Sequence, residues 1–375
     1  MSGSDERFAF LAEWYDPQAA LTRKYQLLFY ASDNSVEMYD IKNRRLFLKR
    51  SKCDQYKADD FYIGAIVNIH SRQLKITDYC DKHTTNRLKN INEKTLAMIK
   101  PDAVGCLGGI MEMIDQAGFK LCRAKMVRLN RKEASDFYQE HASQPFYDRL
   151  VEFISSGPVV AFELKGPGAV DSWRKVLGPT DSATARNQAP LSVRAKFGTD
   201  NTKNAAHGSD STESAEREVS FFFDKRRQNT AVLNNCTLCV VKPHAVADGL
   251  SGRIVLAIQD AGFEISALQM FHLERANAEE FHEVYKGVVN EYNSMVEELC
   301  SGPCLAVEVR GQDVTKTFRD FVGPADPEIA RHLRPKSLRA KFGKDKIKNA
   351  VHCTDLPEDG LLEVEYFFKI LDALK

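Results

Sequence analysis

Five residues that could together handle a phosphate group occur twice along the chain, in the same order. Each set has a Lys after an apolar run, two later Arg residues, and an Asn three residues before a His. Arg and Lys side chains neutralise phosphate oxygens, and a neutral imidazole can attack phosphorus. The first set is Lys100, Arg174, Arg194, Asn204 and His207, and the second is Lys242, Arg319, Arg339, Asn349 and His352.

Taken one at a time, these residues have simpler explanations. A Lys or Arg is usually a solvated surface charge, and a lone His is more often a surface or hydrogen-bonded core residue than a nucleophile. Recurrence of the whole set favours a phosphate site, although a duplicated domain copies structural residues as faithfully as catalytic ones. Other phosphate signatures are missing, since the chain has no GxxxxGK[ST] loop and no protein-kinase HRD or DFG segment.

A long internal repeat positions these residues. TLAMIKPDAV from Thr95 matches TLCVVKPHAV from Thr237, and SGPVVAFEL, WRKVLGPTD, VRAKFG and KNAAHGSDS have matches in the same order. The offset between the copies grows from 142 at the Lys to 145 at the His. A unit of about 130 residues is too long for a solenoid repeat, so we expect two globular domains with separate cores.

Within each copy, the apolar periodicity predicts an α+β fold with a split βαβ sheet. Strand patterns at TLAMIK, KLCRAKMVRL and VVAFELKG alternate with helix patterns at GGIMEMIDQAGF, KEASDFYQEHA, DRLVEFISS and AVDSWRKVLG. A further helix and strand are expected up to SFFF. Gly118 and Gly262 stand where the C-cap of the first helix belongs.

The first 90 residues have a different pattern. Short β runs, including RFAFLAEWYD, RKYQLLFYA, SVEMYDI and RQLKITDY, are separated by turn signals such as SDNS and HSRQ, which predicts a small barrel or sandwich. We therefore expect a small all-β domain over residues 1–91, domain A over 92–224, a polar linker over 225–236 and domain B over 237–375.

The composition indicates a soluble cytoplasmic protein. Lys+Arg and Asp+Glu both number 52 in 375 residues, so no overall field favours nucleic acid or an anionic membrane. No apolar run approaches the roughly 18–20 residues of a membrane span, and the start lacks the pattern of a signal peptide. Nine cysteines in scattered positions are typical of reduced thiols, and the CxxC at Cys236 and Cys239 favours two buried strand thiols over a metal site.

Several motifs resemble those of the nucleoside diphosphate kinase family. IKPDAV, QPFY, SGPVVAFEL, WRKVLGPTD, VRAKFG and NAAHGSDSTESAERE carry this resemblance over nearly the whole first copy. It implies a ferredoxin-like core and ping-pong transfer of a terminal phosphate from a nucleoside triphosphate to a nucleoside diphosphate, through a transient phosphohistidine. It also implies Mg²⁺ as cofactor, held mainly by nucleotide phosphates and water.

In domain A the resemblance assigns a role to each matching residue. His207 would be the nucleophile, with Glu218 and Ser209 orienting its ring and Tyr138 close by. Phe146 would stack on the base. The residues that would bind the phosphates and ribose are Lys100, Arg174, Thr180, Arg194 and Asn204.

Domain B departs further from the family pattern. The Asp after KP is His244, the Thr is Ala325, GSDS is CTDL and QPFY is VNEY. No Tyr can be aligned safely with Tyr138, because Tyr285 lies where the register slips. We expect domain B to be slow, purely structural, or a regulatory nucleotide-binding module. The matching residues are Lys242, Arg319, Arg339, Asn349, His352 and Glu363.

A β domain followed by two such copies resembles family members that associate with microtubules, at γ-tubulin complexes and inside ciliary doublets. The resemblance implies tubulin or γ-tubulin complexes as partners and a location at the cytoskeleton, centrosome and cilium axoneme. The alternative is a mainly structural component of ciliary doublets or the γ-tubulin complex, in which catalysis is incidental.

Overall fold

The computed structural model describes residues 6–89, 91–225 and 227–374. Contacts divide the chain into two compact units, one formed by Met1–Glu93 with Gly166–Gly168 and the other by Lys94–Lys165 with Ala169–Lys375. Within the described ranges, no helix combines the length and the apolar composition needed to cross a bilayer.

The first unit contains one antiparallel sheet of six strands, and each β run singled out in the sequence forms a strand. Its strand order is β4-β3-β2-β1-β6-β5. Phe10, Phe29 and Phe61 stack in its core with ring centroids 4.9 and 5.1 Å apart. The strands are β1 (Arg7–Asp16), β2 (Leu21–Tyr30), β3 (Ser35–Asp40), β4 (Arg45–Lys52), β5 (Ile66–Ile69) and β6 (Arg72–Tyr79).

The sheet curls so that its ends approach, and a helix that the sequence analysis did not predict follows it. Ser51 Oγ on β4 lies 2.9 Å from Nε2 of His70, in the β5–β6 turn. Helix α1 (Lys82–Leu88) is capped by the Asp81 side chain, which accepts from the backbone N–H of Thr84. KHTTNRL has a single large apolar residue, Leu88, so apolar periodicity gives almost no helix signal there.

Domain A alternates strands and helices largely as its periodicity predicts. SFFF lies at the end of α8, so the strand expected near it is the three-residue β10. The elements are β7 (Glu93–Ile99), α2 (Leu107–Gln116), β8 (Lys120–Arg128), α3 (Arg131–Phe137), α4 (Tyr147–Ser155), β9 (Pro158–Gly166), α5 (Ala169–Leu177), α6 (Ser182–Gln188), α7 (Val193–Phe197), β10 (Ala206–Gly208) and α8 (Thr212–Phe223).

Domain B repeats this order, and a π-helix (Tyr366–Leu371) follows its last α-helix. Cys236 and Cys239 are buried in β11 and pack into cores on opposite faces of the sheet. The elements are β11 (Cys236–Val241), α9 (Pro243–Ala247), α10 (Ser251–Asp260), β12 (Glu264–Phe271), α11 (Arg275–Phe281), α12 (Tyr292–Leu299), β13 (Cys304–Arg310), α13 (Val314–Val322), α14 (Pro327–Leu333), α15 (Leu338–Phe342), β14 (Val351–Cys353) and α16 (Gly360–Glu365).

The two domains share one eight-stranded sheet with the order β10-β7-β9-β8-β12-β13-β11-β14. Each half has the ferredoxin-like order, in which the first and third strands lie between the fourth and the second. The halves meet where β8 pairs with β12 at Lys125 and Gln269. Because the short fourth strands carry His207 and His352, the two histidines lie at opposite ends of the sheet.

The segment between the domains, predicted as a polar linker, is held by buried hydrogen bonds. Arg227 Nη1 donates to Glu133 Oε1 at 2.6 Å. The backbone N–H groups of Val232 and Leu233 each donate to the carboxylate of Glu308 at 2.7 Å, and that side chain is fully buried. These bonds fix the connection to both domains.

Helices α2 and α10 cross closely because each contributes a glycine at the contact. A Cβ built on Gly108 would overlap the backbone of Leu256, and one built on Gly252 would overlap the backbone of Glu112. The absence of both side chains therefore sets the distance between the domains.

Gly108→Ala is expected to destabilise the second unit by about 1–3 kcal/mol, because the added methyl group must push the helices apart. Thermal or urea unfolding measures this loss. Gly105→Ala is the matched control, since no heavy atom lies within 4 Å of a Cβ built there. Equal stability of the two variants would contradict the close crossing.

Candidate active site

A strained backbone position sets the direction of His207. The residue before β10, Ala205, has a φ of 70°, in the left-handed region that costs a non-glycine residue energy. Two hydrogen bonds hold it there. Its carbonyl accepts from the backbone N–H of Lys100 at 2.9 Å, and its N–H donates to Asp102 Oδ2 at 3.1 Å. His207 then pairs with Met98 of β7.

The imidazole of His207 is fixed through one nitrogen. Its Nε2 lies 2.9 Å from Glu218 Oε2, which also accepts from Ser209 Oγ at 2.7 Å. Burial alone would raise the pKa of Glu218, but the charge and hydrogen bond of His207 and the Ser209 hydroxyl hold it below its usual value. An ionised carboxylate only accepts, so Nε2 carries a proton, and when the ring is neutral the lone pair is on Nδ1.

Aromatic side chains limit the space around this ring. Phe137 and Tyr138 contact it edge-on, with centroids 5.3 and 5.8 Å from that of His207. The Tyr138 hydroxyl is buried and has no hydrogen-bond partner among the described residues, and burial raises the pKa of Tyr138. The His207 side chain is 18% exposed, so the ring remains open to a ligand.

Lys100 is buried beside the loop that precedes β10. Its Nζ donates to Asn204 Oδ1 at 2.7 Å and to the carbonyl of Thr202 at 3.2 Å. Burial, and then the charge of Arg194, lowers the pKa of Lys100 to about 7. An anion bound here would favour the protonated amine, because it supplies the negative charge that this position lacks.

The two Arg residues of the set lie together. Arg194 donates to the carbonyl of Gly178 at 2.9 Å and to that of Ala206 at 3.3 Å, and its Nε is buried with no partner in the described chain. Burial, and then the like charge of Arg174 on α5, lowers the pKa of Arg194 to about 10. Two guanidinium groups close enough to repel each other suit the binding of phosphate oxygens between them.

The remaining predicted residues, Thr180 and Phe146, are joined to the site through Asn204 and Tyr138. The carbonyl of Thr180 accepts from Asn204 Nδ2 at 2.9 Å, and the Thr180 side chain is exposed. Phe146 is 47% exposed and is linked to Tyr138 through the ring of His141, with successive centroids 6.1 Å apart. Tyr138 and His141 lie between Phe146 and His207, and this separation is compatible with a residue that stacks on a base.

Sequence reasoning missed the role of Asp102. The residue lies in the quoted IKPDAV motif, yet no function was assigned to it. Its hydrogen bond to Ala205 supports the strained backbone before His207. Burial raises the pKa of Asp102, and its Oδ1 is buried without a partner within the described residues.

Domain B keeps the hydrogen bonds that fix its histidine. His352 Nε2 lies 2.8 Å from Glu363 Oε2, which also accepts from Thr354 Oγ1 at 2.9 Å. Thr354 thus replaces Ser209, and its hydroxyl accepts from the backbone N–H of Leu238 at 3.2 Å. The change from GSDS to CTDL preserves this hydrogen-bond network.

His244 likewise replaces Asp102 in function. Its Nε2 accepts from the backbone N–H of Ala350 at 3.2 Å, and Ala350 has the same left-handed conformation as Ala205, with a φ of 71°. His244 Nδ1 lies 2.6 Å from Glu298 Oε1, so the neutral ring donates at Nδ1 and accepts at Nε2.

The side of the domain B site that would face a ligand is altered. Tyr285 Oη donates to Asp355 Oδ2 at 2.6 Å, and Arg319 lies 3.4 Å from Asp355 Oδ1. Asp355 corresponds to Asp210 of domain A, whose pKa is lowered by its hydrogen bond to Ser214 and also by the charge of Arg174, so a carboxylate lies near this Arg in both domains. Arg319 and Arg339 line a cavity of about 620 Å³.

The other matching residues of domain B keep their places. Lys242 Nζ donates to the carbonyl of Ile347 at 2.8 Å, and burial lowers the pKa of Lys242 to about 7. Arg339 donates to the carbonyl of Val351 at 3.1 Å, and Asn349 Nδ2 donates to that of Ala325 at 2.9 Å.

His282 occupies the position of Tyr138, which the sequence could not align. It follows Phe281 at the end of α11, and its ring centroid lies 6.2 Å from that of His352. Burial, and then the charge of His352, lowers the pKa of His282 to about 3. The folded chain keeps this ring neutral, whereas the unfolded chain protonates it below a pH of about 6.5, so stability is lost as the pH falls from about 6.5 towards 3.

His282→Phe is expected to remove this loss. The difference in free energy of unfolding between the variant and the unvaried chain is measured at pH 5 and at pH 8. It should be about 1–2 kcal/mol more favourable to the variant at pH 5. Urea unfolding at the two pH values measures it, with exposed His332→Gln as the control. Parallel pH profiles for the unvaried chain and His282→Phe would show that His282 is not buried in its neutral form.

Comparisons with known proteins match both repeated domains and the N-terminal region. Residues 93–228 and 235–372 match the family profile of nucleoside diphosphate kinase, and residues 2–90 match that of the nucleoside diphosphate kinase 7 N-terminal PH domain. The chain is 59% identical over 371 residues to nucleoside diphosphate kinase homolog 7 of Rattus norvegicus, covering 98% of this chain and 94% of the relative. The Mus musculus protein of that name is 58% identical with the same coverage.

Among solved structures, a crystal form of Aquifex aeolicus nucleoside diphosphate kinase is 50% identical over 35% of this chain and 94% of its own, with a TM-score of 0.35. The predicted fold class, a small all-β domain before two tandem ferredoxin-like domains, is confirmed by the profile matches and the strand order.

Proposed function

Because the chain belongs to the nucleoside diphosphate kinase family, we propose that domain A transfers the terminal phosphate of a nucleoside triphosphate to a nucleoside diphosphate through a phosphohistidine at His207. The observation that supports this proposal most is the bond between His207 Nε2 and Glu218 Oε2. It leaves the Nδ1 lone pair as the nucleophile of a ring in a cationic pocket.

The transfer has two balanced steps. The Nδ1 lone pair attacks the γ-phosphorus, the bond from phosphorus to the bridging oxygen breaks, and the nucleoside diphosphate leaves with that electron pair. A terminal oxygen of a second nucleoside diphosphate then attacks the same phosphorus, and the bond from phosphorus to Nδ1 breaks. Glu218 holds the proton on Nε2 throughout and stabilises the positive ring of the intermediate.

Lys100, Arg174 and Arg194 would neutralise the phosphate oxygens as charge moves between them. These donors suit phosphate and cannot ligate a metal ion, so the pocket fits a nucleotide that brings Mg²⁺ on its own phosphates and water. The ion would supply further neutralisation of those phosphates. Phosphate and sugar would provide most contacts, which favours low selectivity for the base.

Domain B is proposed to be the slower site. It retains the hydrogen bond between His352 and Glu363, but Glu291 and Ala325 replace the residues that correspond to Phe146 and Thr180. A nucleotide would find fewer contacts there than in domain A. Binding with little turnover is the expected behaviour.

His207→Ala should abolish the acid-labile phosphoenzyme formed with ATP and Mg²⁺, and should lower transfer to a second diphosphate by at least about a thousandfold, because the nucleophile is lost. The matched variant His352→Ala should keep most of the activity. Steady-state transfer by the two purified variants decides between the domains. Undiminished turnover in His207→Ala, with loss in His352→Ala, would reverse the assignment.

For the N-terminal unit we propose docking to microtubules or the γ-tubulin complex, and hence a location at the cytoskeleton, centrosome and cilium axoneme. Support comes from the match of residues 2–90 to a family-specific PH domain and from the separate core of this unit. A mainly structural role remains the second candidate, in which the folds act as docking blocks and catalysis is incidental.

Deletion of residues 1–90 should leave phosphate transfer unchanged and remove co-sedimentation with microtubules or γ-tubulin complexes. The full chain carrying His207→Ala and His352→Ala is the complementary control, which should still co-sediment. Full restoration of cilia by that double variant would favour the structural role, and retained binding by the truncated chain would contradict docking through the first unit.

A further inference from the structure

A side chain of domain B holds the turn on which the domain A site is built. Gln259, on α10, accepts from the backbone N–H of Gly108 through Oε1 at 2.7 Å and donates to the carbonyl of Val104 through Nε2 at 3.1 Å. These two groups lie at the end of the 3₁₀ turn Pro101–Cys106 and at the start of α2. One amide therefore fixes both sides of this junction.

The turn that Gln259 holds leads directly to the nucleophile. It begins after Lys100 and contains Asp102, whose carboxylate accepts from the backbone N–H of Ala205. Ala205 is in the left-handed conformation, which persists only where neighbouring groups hold it. His207 follows two residues later, so a shift of the turn would reach the imidazole through two hydrogen bonds and a short strand.

The reverse connection differs in chemistry. Asp115, at the position of α2 that corresponds to Gln259, accepts from the backbone N–H of Gly252 at 2.7 Å. An ionised carboxylate has no N–H to donate, so Asp115 cannot bind a carbonyl of the corresponding turn in domain B as Gln259 binds Val104. Of these two links, only the one from Gln259 therefore binds a carbonyl of an active-site turn.

We infer that Gln259 of domain B is a positioning residue for phosphate transfer at His207 of domain A. This inference rests on the proposed function of domain A and extends it, because it gives domain B a catalytic use that does not depend on turnover at His352. Loss of the Gln259 amide would let the turn and Asp102 move, so the ring would be less well aligned with the phosphorus.

The experiment uses the full chain with His352→Ala, so that all transfer occurs in domain A. Into this parent are introduced Gln259→Ala, Asp115→Ala and Gln259→Glu. The two Ala variants each remove a contact between α2 and α10 and should lower the melting temperature to a similar extent. Gln259→Glu keeps the acceptor for Gly108 but has no N–H for Val104.

Gln259→Ala and Gln259→Glu should lower kcat about fivefold or more with little change in KM, because the nucleotide contacts remain while the nucleophile is misaligned. Asp115→Ala should keep the kcat of the parent. Hydrogen exchange of residues 204–208 should rise in both Gln259 variants and stay unchanged in Asp115→Ala, since the Ala205 N–H is held through the turn.

Equal kcat and equal exchange in Gln259→Ala and Asp115→Ala would overturn the inference, because the contact would then be only structural. Absence of His207-dependent transfer in the parent would instead refute the proposed function. Hydrogen exchange of residues 204–208 does not require turnover, so it tests whether Gln259 positions the turn even in a chain without activity. Failure of the inference and failure of the proposed function can therefore be distinguished.

Discussion

The hydrogen bond between His207 Nε2 and Glu218 Oε2 is the constraint on which the site depends. A free imidazole presents either nitrogen and rotates about its side-chain bonds, whereas this ring has one nitrogen fixed and the other available. Two unfavourable features accompany this arrangement, the burial of the Glu218 carboxylate and the left-handed backbone of Ala205 before the strand. Each is offset locally, since Ser209 binds the carboxylate and Asp102 binds the Ala205 amide.

Comparison of the two domains separates the frame of the site from its ligand-facing surface. In domain B, His244 and Thr354 make the contacts of Asp102 and Ser209 with different chemistry, so the backbone that directs the histidine is preserved. The surface that would meet a nucleotide has changed more, since Glu291 and Ala325 stand where domain A has Phe146 and Thr180. A domain can thus keep the hydrogen bonds that align its histidine while the residues that would face a ligand change.

Much of this arrangement could be predicted from the sequence because the same residue types recur at nearly the same spacing in both copies. The order of Lys100, Arg194, Asn204 and His207 in both copies identified the residues that the fold brings together, and apolar periodicity gave nearly every strand. What escaped were contacts without a periodic or compositional signal. Helix α1 has almost no apolar stripe, and the use of Gln259 depends on the packing of two domains, which a single chain pattern does not encode.

The ring nitrogen that carries the phosphate in the intermediate tests the role of the bond between His207 and Glu218 most directly. The chain is phosphorylated with ATP and Mg²⁺, digested at alkaline pH, and examined by tandem mass spectrometry and ³¹P NMR against the two phosphohistidine isomers. Because Glu218 holds Nε2, phosphate is expected on Nδ1 of His207. Phosphate on Nε2 of this ring, or mainly on another residue, would contradict it.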